Sequence, residues 1–480
     1  MEKAVVLYPG FIVSHFVPMM RLAGVLIQHG YAVSVALIDP AVNLDDAFAA
    51  AVARAAASMP SVTFHMIPLV ESPLTPGAQF ILNYLDIIAR HNERFHDFLL
   101  RSSSTRGVDA VVVDSISVEA FAVTKRLGIP GYVLFTSNAA ALAAFVQLPS
   151  VHAQARTSLK FKDLRDDAPL DFFGIPPMPA SHLFGDIFDH PESDICKATV
   201  ASLHGISEAD GILVNTFESL DAPAVAALGD PRCLPGRVMP PVYCVGPFVG
   251  AAQTSKQQQQ HECLSWLDGQ PDHSVVFLCF GSAGHNHSEE QVKEIAVGLE
   301  NSGHRFLWVV RAPFSDDPGT INAGLPNGFL ERTSGRGLVV NQWVPQADVL
   351  RHTATGVFVT HCGWNSVLEG VTAGVPMLCW PLYAEQKLNK LRMVGEMGIA
   401  AAEMVASQQG LVEAAEVERK VRLAMESEEG RELRSRVAAH KKAAAVAWDD
   451  GRSSRAAFLR FLSDVESRRQ PRPARSGEGK

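Results

Sequence analysis

Short apolar runs alternate with helical patterns along most of this chain. In the first half, apolar runs at 4–8, 33–38 and 108–114 are separated by stretches of helical periodicity, such as the one over 16–30. Apolar runs of about four to eight residues between helices are typical of strands in a parallel, doubly wound sheet. The run at 211–217 predicts a late strand of the same sheet.

The pattern breaks off about halfway along the chain and then resumes. Residues 249–261, VGAAQTSKQQQQH, are polar and lack a period, which predicts a linker. Strand and helix patterns return over 262–466, where Ser288 and Gln291 have the spacing of a capping box at a helix start. The sequence therefore predicts two Rossmann-like α/β domains, 1–248 and 262–466, that face each other across a ligand cleft.

The end of the chain carries helices and then a biased tail. Helical patterns at 411–426 and 430–446 are expected to pack back across the domains. Residues 467–480, SRRQPRPARSGEGK, are rich in Arg and Pro, which predicts a disordered tail.

Composition excludes several classes of protein. The 480 residues carry a formal net charge of −9, so no basic surface favours nucleic-acid binding. No apolar run approaches the ~20 residues that span a bilayer, and Glu2 with Pro9 and Gly10 argues against a secretory signal. The seven cysteines form no CxxC pair, which is typical of reduced thiols in the cytosol.

The segment from Trp343 to Gln386 carries the strongest functional signal. Its turn at 361–366, HCGWNS, follows the apolar strand GVFVT and opens the helical pattern SVLEGVTA. A strand that enters a helix through such a turn directs backbone N–H groups and the positive helix end toward an anion. Trp343 offers a flat ring for a base, Glu369 offers oxygens for a ribose, and Glu385 with Gln386 suits sugar hydroxyls. A βαβ unit with a polar turn is the alternative for any one of these residues, but the ordered set favours a nucleotide diphosphate.

This segment resembles the nucleotide-sugar signature of the plant secondary-product UDP-glycosyltransferases, inverting enzymes that glycosylate small lipophilic molecules. Shorter similarities lie at 136–139, 211–221, 240–247 and 262–282. The resemblance implies the two-domain GT-B fold and an enzyme with a UDP-sugar as co-substrate. No DxD motif or metal-ligand spacing is present, so no cofactor or metal is expected. The expected partners are the UDP-sugar and a small-molecule acceptor, without nucleic acid or membrane insertion, and the expected state is a monomer.

The resemblance also implies roles in donor binding. Trp343 stacks on uracil, and Val344 binds it through the backbone. Ribose and diphosphate are assigned to Gln346, Glu369, His361, Asn365 and Ser366, and the sugar is assigned to Thr136, Trp364, Glu385 and Gln386. Ser282, after the strand run VVFLCFG, is expected to add a donor where charge grows on the leaving diphosphate. The terminal glutamine goes with glucose in this family, although many members carry Asp where this chain has Glu385.

A candidate base lies near the N terminus. His15 follows the first strand, and Asp114 ends the run VDAVVVD, so both are expected at the carboxyl edge of a parallel sheet. Imidazole titrates near pH ~6.5, and a carboxylate on Nδ1 would orient it to take a proton at Nε2. The alternative is a polar histidine in a turn. The family uses a His–Asp pair at these positions, but it commonly has glycine where this chain has Ser14.

The acceptor site is predicted from aromatic residues of the N-terminal half, and core packing is the equal alternative for each one. A flat slot lined by aromatic rings suits a planar phenol or flavonoid. The candidates are Phe11, Ile12, Phe16, the region 76–98 with Phe80 and Tyr84, and Phe172, Phe173, Phe184 and Phe188.

Other functions remain as alternatives. A nicotinamide-dependent oxidoreductase would need GxGxxG after a strand, which the turns PGFIVSH and FGSAGHN lack. A non-catalytic sugar-nucleotide binder would be favoured by loss of His15 or Asp114. The same fold could act on a terpenoid, hormone or xenobiotic, or form a C-glycoside or an ester. A nucleophilic Cys362 and a zinc site at His352, His361 and Cys362 are disfavoured, because neighbouring residues explain the site and the spacing fits no zinc pattern.

Overall fold

A computed structural model gives the fold, and its described residues begin at Lys3 and end at Arg468. They comprise 3–39, 46–70, 80–105, 107–158, 169–183, 190, 192–250, 261–281, 287–310, 324–401, 403–407 and 410–468. The strands are β1 Lys3–Tyr8, β2 Tyr31–Ile38, β3 Val62–Ile67, β4 Ala110–Asp114, β5 Gly131–Phe135, β6 Leu170–Phe172, β7 Ile175–Met178, β8 Gly211–Val214, β9 Val242–Cys244, β10 Val275–Cys279, β11 Arg305–Val309, β12 Gly337–Val340, β13 Thr355–Thr360, β14 Met377–Cys379 and β15 Ala400–Ala401.

The helices connect these strands and cover the sheets. They are α1 Val13–Gln28, α2 Asp46–Ser58, α3 Phe80–Thr105, α4 Phe121–Leu127, α5 Ala139–Ser158, α6 Asp194–Ile206, α7 Glu218–Leu228, α8 Glu262–Asp268, α9 Glu289–Ser302, α10 Phe329–Arg332, α11 Gln346–Arg351, α12 Trp364–Ala373, α13 Gln386–Val394, α14 Ala414–Glu426, α15 Glu428–Val446 and α16 Ser453–Arg468, with single 3-10 turns at Val118–Ala120, Ala180–His182 and Pro231–Cys233. Across the described part of the chain, no helix has the length and apolar character to cross a membrane.

Two parallel sheets organise the chain. Among the described residues, the first has seven strands in the order β3-β2-β1-β4-β5-β8-β9, and the second has six in the order β12-β11-β10-β13-β14-β15. All pairs within the two sheets are parallel, whereas β6 and β7 form a separate antiparallel hairpin. The central strands β4 and β10 are buried along their whole length, as expected of strands covered by helices on both faces. The predicted α/β architecture is therefore confirmed.

Most predicted helices and strands agree with the structure, but the first helix begins earlier than predicted. Ser288 caps its helix by accepting from the backbone N–H of Gln291, and Gly303 ends the helix with φ 72°. The helix predicted over 16–30 begins earlier, at Val13, and continues through Pro18. Proline cannot donate a helix hydrogen bond and is therefore favoured near a helix start. For this reason the predicted start of α1 lay close to Pro18, three residues later than the observed one. The consequence is that His15 lies in the first turn of α1 rather than in a loop.

The C-terminal residues return to the first sheet. The chain divides into two compact units. The first comprises the residues up to Phe248, apart from 182–184, together with the chain from Ala447 onward. The second comprises Val249–Val446 and 182–184. Residues 447–466, placed in the predicted C-terminal domain, lie with the N-terminal unit, as expected of terminal helices that pack back. The helical patterns at 411–426 and 430–446, for which this was expected, belong to the second unit instead. Helix α16 also includes the first two residues of the predicted tail, and the remainder of that tail falls outside the described residues. Most of the predicted linker, 251–260, does so too.

Candidate active site

The carboxyl edge of the first sheet brings the two candidate catalytic residues together. Strands β1 and β4 are neighbours, with Tyr8 paired to Val113, so both strands end at the same edge. Asp114 is the last residue of β4, and His15 enters the same edge from α1, where its backbone N–H donates to Ile12 O. The parallel topology therefore places side chains that are 99 positions apart in direct contact.

His15 and Asp114 form a hydrogen bond between Nδ1 and Oδ1. Asp114 is fully buried, whereas the His15 side chain is 18% exposed. A carboxylate acceptor keeps the proton of the neutral ring on Nδ1, so Nε2 is the nitrogen that can take a proton from a substrate. The contact has the geometry of a base and its orienting acid.

The other oxygen of Asp114 is held by a second set of donors. Tyr84 OH donates to Oδ2 at 2.9 Å, Ser117 Oγ at 3.2 Å, and the backbone N–H of Ile116 at 3.3 Å. The two hydroxyl oxygens, Tyr84 OH and Ser117 Oγ, lie 3.0 Å apart. Tyr84 was predicted only as an acceptor-site residue, and Ser117 was not predicted. The DSIS run after β4 was the available signal, because a hydroxyl three residues after an aspartate can reach back to it.

The predicted anion-binding turn joins β13 to α12 in the second unit. The first backbone bond of the helix runs from Val367 N to Gly363 O, so the amides of 364–366 lie ahead of it at the positive helix end. Cys362 has φ 66°, a left-handed conformation uncommon outside glycine. The turn is held by Cys362 N donating to Thr360 Oγ1 and by Asn389 Nδ2 donating to Cys362 O at 2.9 Å. Asn389 was missed because it lies on a different helix.

His361 lies buried at the base of this turn. Burial lowers its pKa to about 4, so the ring is neutral near pH 7 and acts as a hydrogen-bonding group rather than a cation. The backbone of Gly281 and Gly363 approaches the imidazole so closely that a Cβ on either would come within 2.7 Å and 2.3 Å of Nε2. Glycine is therefore required at both positions for the turn after β10 and the start of α12 to meet at this ring.

The residues implied at the ribose contact each other. Gln346 Nε2 donates to Glu369 Oε2 at 2.7 Å and to Ser366 Oγ at 2.9 Å. Gln346 thus connects the other residue predicted at the ribose with the predicted anion-binding turn. Trp343 is 52% exposed, while Val344 is buried. The carbonyl of Trp343 accepts from His261 Nε2 at 3.1 Å.

The predicted sugar-binding residues begin helix α13. Gln386 Oε1 accepts from the backbone N–H groups of Leu382 and Tyr383 at 2.8 Å and 3.0 Å. Because these bonds use the oxygen, the amide nitrogen is the group that can donate to a sugar hydroxyl. Glu385 accepts from Asn389 Nδ2 at 3.4 Å, the same side chain that holds the diphosphate turn. Trp364 is buried in the first turn of α12.

The remaining candidates have different placements. Thr136 directly follows β5, so it shares the sheet edge with Asp114, whereas Ser282 lies outside the described residues. Phe11 packs on Tyr84 with ring centroids 4.3 Å apart, and Phe80 is exposed. Two further acceptor candidates, Phe16 and Phe172, are buried. Phe184 and Phe188 fall outside the described residues.

Cys362 lacks the character of a nucleophile. Burial, and then the adjacent Cys379 thiol, raises its pKa well above the ordinary value, so it is a thiol at neutral pH. Within the described ranges, no group of three or more His, Cys, Asp or Glu side chains could hold a metal ion. The zinc alternative at His352 finds a local explanation, since His352 Nε2 pairs with Asp268 at 3.1 Å.

Comparison with known proteins identifies the class. Residues 234–419 match the family model described as UDP-glucoronosyl and UDP-glucosyl transferase. The chain belongs to this family, and it is a UDP-dependent glycosyltransferase with the GT-B fold.

Individual relatives cover almost the whole chain. UDP-glycosyltransferase 88B1 of Stevia rebaudiana is 39% identical over 96% of this chain and 98% of its own. A phloretin 2'-O-glucosyltransferase of Pyrus communis is 37% identical over 97% of this chain and 100% of its own. Among solved structures, UGT2 of Phytolacca americana, complexed with UDP-2fluoro-glucose and pterostilbene, superposes with a TM-score of 0.85 at 33% identity, covering 97% of this chain and 100% of that one. The plant UDP-glycosyltransferase resemblance is thereby confirmed.

Two buried histidines in the second unit predict acid sensitivity. Burial lowers the pKa of both His287 and His361 to about 4, below the unfolded value near 6.5. Their contribution to the free energy of unfolding is thus complete above pH ~6.5 and is lost as pH falls from ~6.5 toward ~4, about 2 kcal/mol for each at pH ~5. His287 packs against Phe280 and Trp380, so His287→Phe should reduce this loss by about half. Urea unfolding at pH 7 and pH 5 measures it.

The exposed His65 supplies the control for this prediction, because His65→Ala removes a histidine from the surface rather than from a buried site. An equal loss of stability in His287→Phe and in the unmodified protein would contradict the assignment to His287.

Proposed function

We propose that the enzyme transfers glucose from UDP-glucose, with inversion, to a hydroxyl group of a small phenolic acceptor. The observation that carries the proposal is the hydrogen-bonded pair of His15 and Asp114 at the sheet edge. Phenolic acceptors are supported by the names of relatives, which include phloretin and anthocyanidin glucosyltransferases. A glucose donor is supported by those same names and by Gln386, whose amide nitrogen is available for a sugar hydroxyl.

His15 is proposed as the general base. Its Nε2 takes the proton of the acceptor hydroxyl while that oxygen forms a bond to the anomeric carbon. The bond from the anomeric carbon to the diphosphate oxygen breaks, and UDP leaves with the electron pair. Attack from the face opposite UDP converts an α-linked donor into a β-glycoside. Asp114 stabilises the imidazolium that forms at His15 and keeps its Nδ1 proton in place.

The donor is proposed to lie on the second unit along the segment Trp343–Gln386. Uracil stacks on Trp343, and the ribose hydroxyls meet Gln346 and Glu369, which already contact each other. The diphosphate lies before the N terminus of α12, where backbone amides and neutral His361 stabilise the charge that grows on the leaving group. These neutral donors can supply that stabilisation without a metal ion, and metal-independent transfer is part of the proposal.

The cytosol is the proposed compartment. Support comes from the cysteines, because all seven are buried free thiols rather than disulfides. Structural disulfides are rare where glutathione keeps thiols reduced. The expected state in solution is a monomer, which sedimentation equilibrium measures directly.

The decisive test is UDP release with product mass. Purified protein is given UDP-glucose and a panel of phenols, flavonoids and terpenoid alcohols, with EDTA in one arm and Mg²⁺ in the other. We expect UDP release with a phenol, an alkali-stable and acid-labile product heavier by one hexose, and equal rates in both arms. A product resistant to acid would show a C-glycoside instead. Binding of UDP without turnover of any acceptor would favour a non-catalytic binder.

Stacking at Trp343 predicts a measurable loss of donor affinity. Trp343→Ala should weaken UDP binding by about 1–3 kcal/mol, because one base–aromatic stack contributes that amount. Isothermal titration of UDP measures the change, and Trp343→Phe is the control that keeps a ring in place. An unchanged affinity in the alanine variant would refute the stacking role.

A further inference from the structure

Both carboxylate oxygens of Asp114, the acid of the proposed catalytic pair, accept hydrogen bonds. Asp114 presents Oδ1 to His15, while its Oδ2 accepts from Tyr84, Ser117 and the backbone of Ile116. The two hydroxyls come from different elements, since Tyr84 lies on α3 and Ser117 immediately precedes the 3-10 turn after β4. A carboxylate bound on one oxygen alone could rotate about its terminal torsion, which is a broad and soft rotation. Three donors on Oδ2 restrict that rotation.

We propose that Tyr84, assisted by Ser117, is a positioning residue that keeps Asp114 Oδ1 on His15 Nδ1 during glycosyl transfer. The inference deepens the proposed function and rests on the assignment of His15 as base. Tyr84 is not proposed to touch the reacting atoms. Its effect passes through Asp114, which orients the imidazole that takes the acceptor proton.

The hydroxyl of Tyr84 is a dependable donor. Its side chain is fully buried, and both burial and the adjacent Asp114 carboxylate raise the pKa of Tyr84 well above its ordinary value. The phenol therefore remains protonated at any pH at which the enzyme would work. A neutral phenol donating to a carboxylate forms one of the stronger hydrogen bonds in a protein.

The backbone leaves a dedicated space for this hydroxyl. Gly10 has φ 60°, and a Cβ built on it would lie 1.8 Å from Tyr84 OH and 3.1 Å from Ser117 Oγ. Gly10 lies between β1 and α1, five residues before His15. The turn that presents the base thus requires glycine where the tyrosine hydroxyl passes. This close approach brings the turn before α1 next to the hydroxyl groups that bind Asp114 Oδ2.

The ring of Tyr84 has a separate packing role. It lies 4.3 Å from the Phe11 ring and 6.1 Å from the Phe80 ring, measured between centroids. Phenylalanine keeps these ring contacts and removes only the hydroxyl. Tyr84→Phe therefore separates positioning from packing, whereas Tyr84→Ala would remove both.

The expected result for Tyr84→Phe is a fall in kcat of roughly tenfold, which corresponds to loss of one hydrogen bond to a charged group. The KM for UDP-glucose, the KM for the acceptor and the affinity for UDP should stay unchanged. Ser117→Ala should lower kcat in the same way but less. Tyr8→Phe is the matched control: Tyr8 is equally buried in the same unit, and its hydroxyl has no hydrogen-bond partner in the described part of the chain. Its kcat should equal that of the unmodified enzyme.

A double-mutant cycle with Asp114→Ala tests whether the effect passes through Asp114. In that background Tyr84→Phe should cause no further loss of kcat, because its acceptor is gone. The same tenfold loss in both backgrounds would overturn the proposal. So would an unchanged kcat in Tyr84→Phe, or a rise in acceptor KM alone, which would make Tyr84 a wall of the acceptor site.

Gly10→Ala tests the close approach at Tyr84, and a comparison of His15→Ala with Tyr84→Phe separates failure of this inference from failure of the base assignment. Gly10→Ala should lower kcat as Tyr84→Phe does, and its cost should shrink in the Tyr84→Phe background because the hydroxyl that clashes is absent. Equal costs in both backgrounds would overturn the close approach. If His15→Ala abolishes transfer while Tyr84→Phe does not change it, only this inference fails. If His15→Ala retains full activity, the assignment of His15 as base fails, and this inference fails with it.

Discussion

Replacing His15 by alanine should lower kcat by about a thousandfold, because general base catalysis contributes two to four orders of magnitude. The loss should appear in kcat with an acceptor hydroxyl, since that proton has no other acceptor in the proposed step. UDP affinity should remain close to that of the unmodified protein, because the proposed donor site lies on the second unit. Initial rates of UDP release and titration with UDP measure the two quantities.

The matched control for this variant is His65→Ala. His65 lies on the edge strand β3 of the same sheet and is exposed, so its loss should leave kcat unchanged. Retention of most of the activity in His15→Ala would remove His15 as base. A large loss of UDP affinity in the same variant would instead indicate that the substitution disturbs donor binding.

Replacing Phe461 by alanine should lower the free energy of unfolding by about 3–5 kcal/mol, the range for deleting a buried aromatic ring. Phe461 is fully buried and belongs to the core of the N-terminal unit, where its ring meets Tyr132 and Tyr243 edge-on. The helix that carries it, α16, is also held through Ser454 Oγ, which donates to Gly246 O, and Tyr132 OH, which donates to Asp464. The C-terminal helix therefore completes the fold of the first unit.

Leu459 on the same helix is the control, because it is 47% exposed and Leu459→Ala should change the unfolding free energy by less than about 0.5 kcal/mol. Urea unfolding followed by tyrosine and tryptophan fluorescence measures both variants. Limited proteolysis then shows which unit opens first. Equal stability of Phe461→Ala and Leu459→Ala would contradict the packing role of α16.

The donor segment was predictable because its residues are close in sequence. Residues from Trp343 to Gln386 span α11, β13, α12, β14 and the start of α13, which follow one another along the second sheet. The contact of Gln346 with Glu369 agrees with the shared ribose role that the family resemblance implies. The left-handed backbone conformation of Cys362 was not predictable. A residue other than glycine adopts that conformation only where the hydrogen bonds and packing around it stabilise it.

The pairing of His15 with Asp114 was predictable for a topological reason. Strands of a parallel sheet end at one edge, and the two residues follow neighbouring strands. The second set of donors on Asp114 was not predictable in the same way. Tyr84 reaches Asp114 from a helix whose rotation is decided by its packing, and that rotation has no signal in the local pattern.

The amino-acid pattern alone therefore specified the α/β class, and it predicted the strand ends near His15 and Asp114 and the segment Trp343–Gln386 as candidate sites, since periodicity and short-range spacing encode these features. Only the folded chain decided that α16 closes the first unit, that Gly10 makes room for the Tyr84 hydroxyl, and that Asp114 is bound on both oxygens. These contacts join residues far apart in sequence. They arise from the packing of helices on sheets, where the position of each side chain depends on the volumes of all its neighbours.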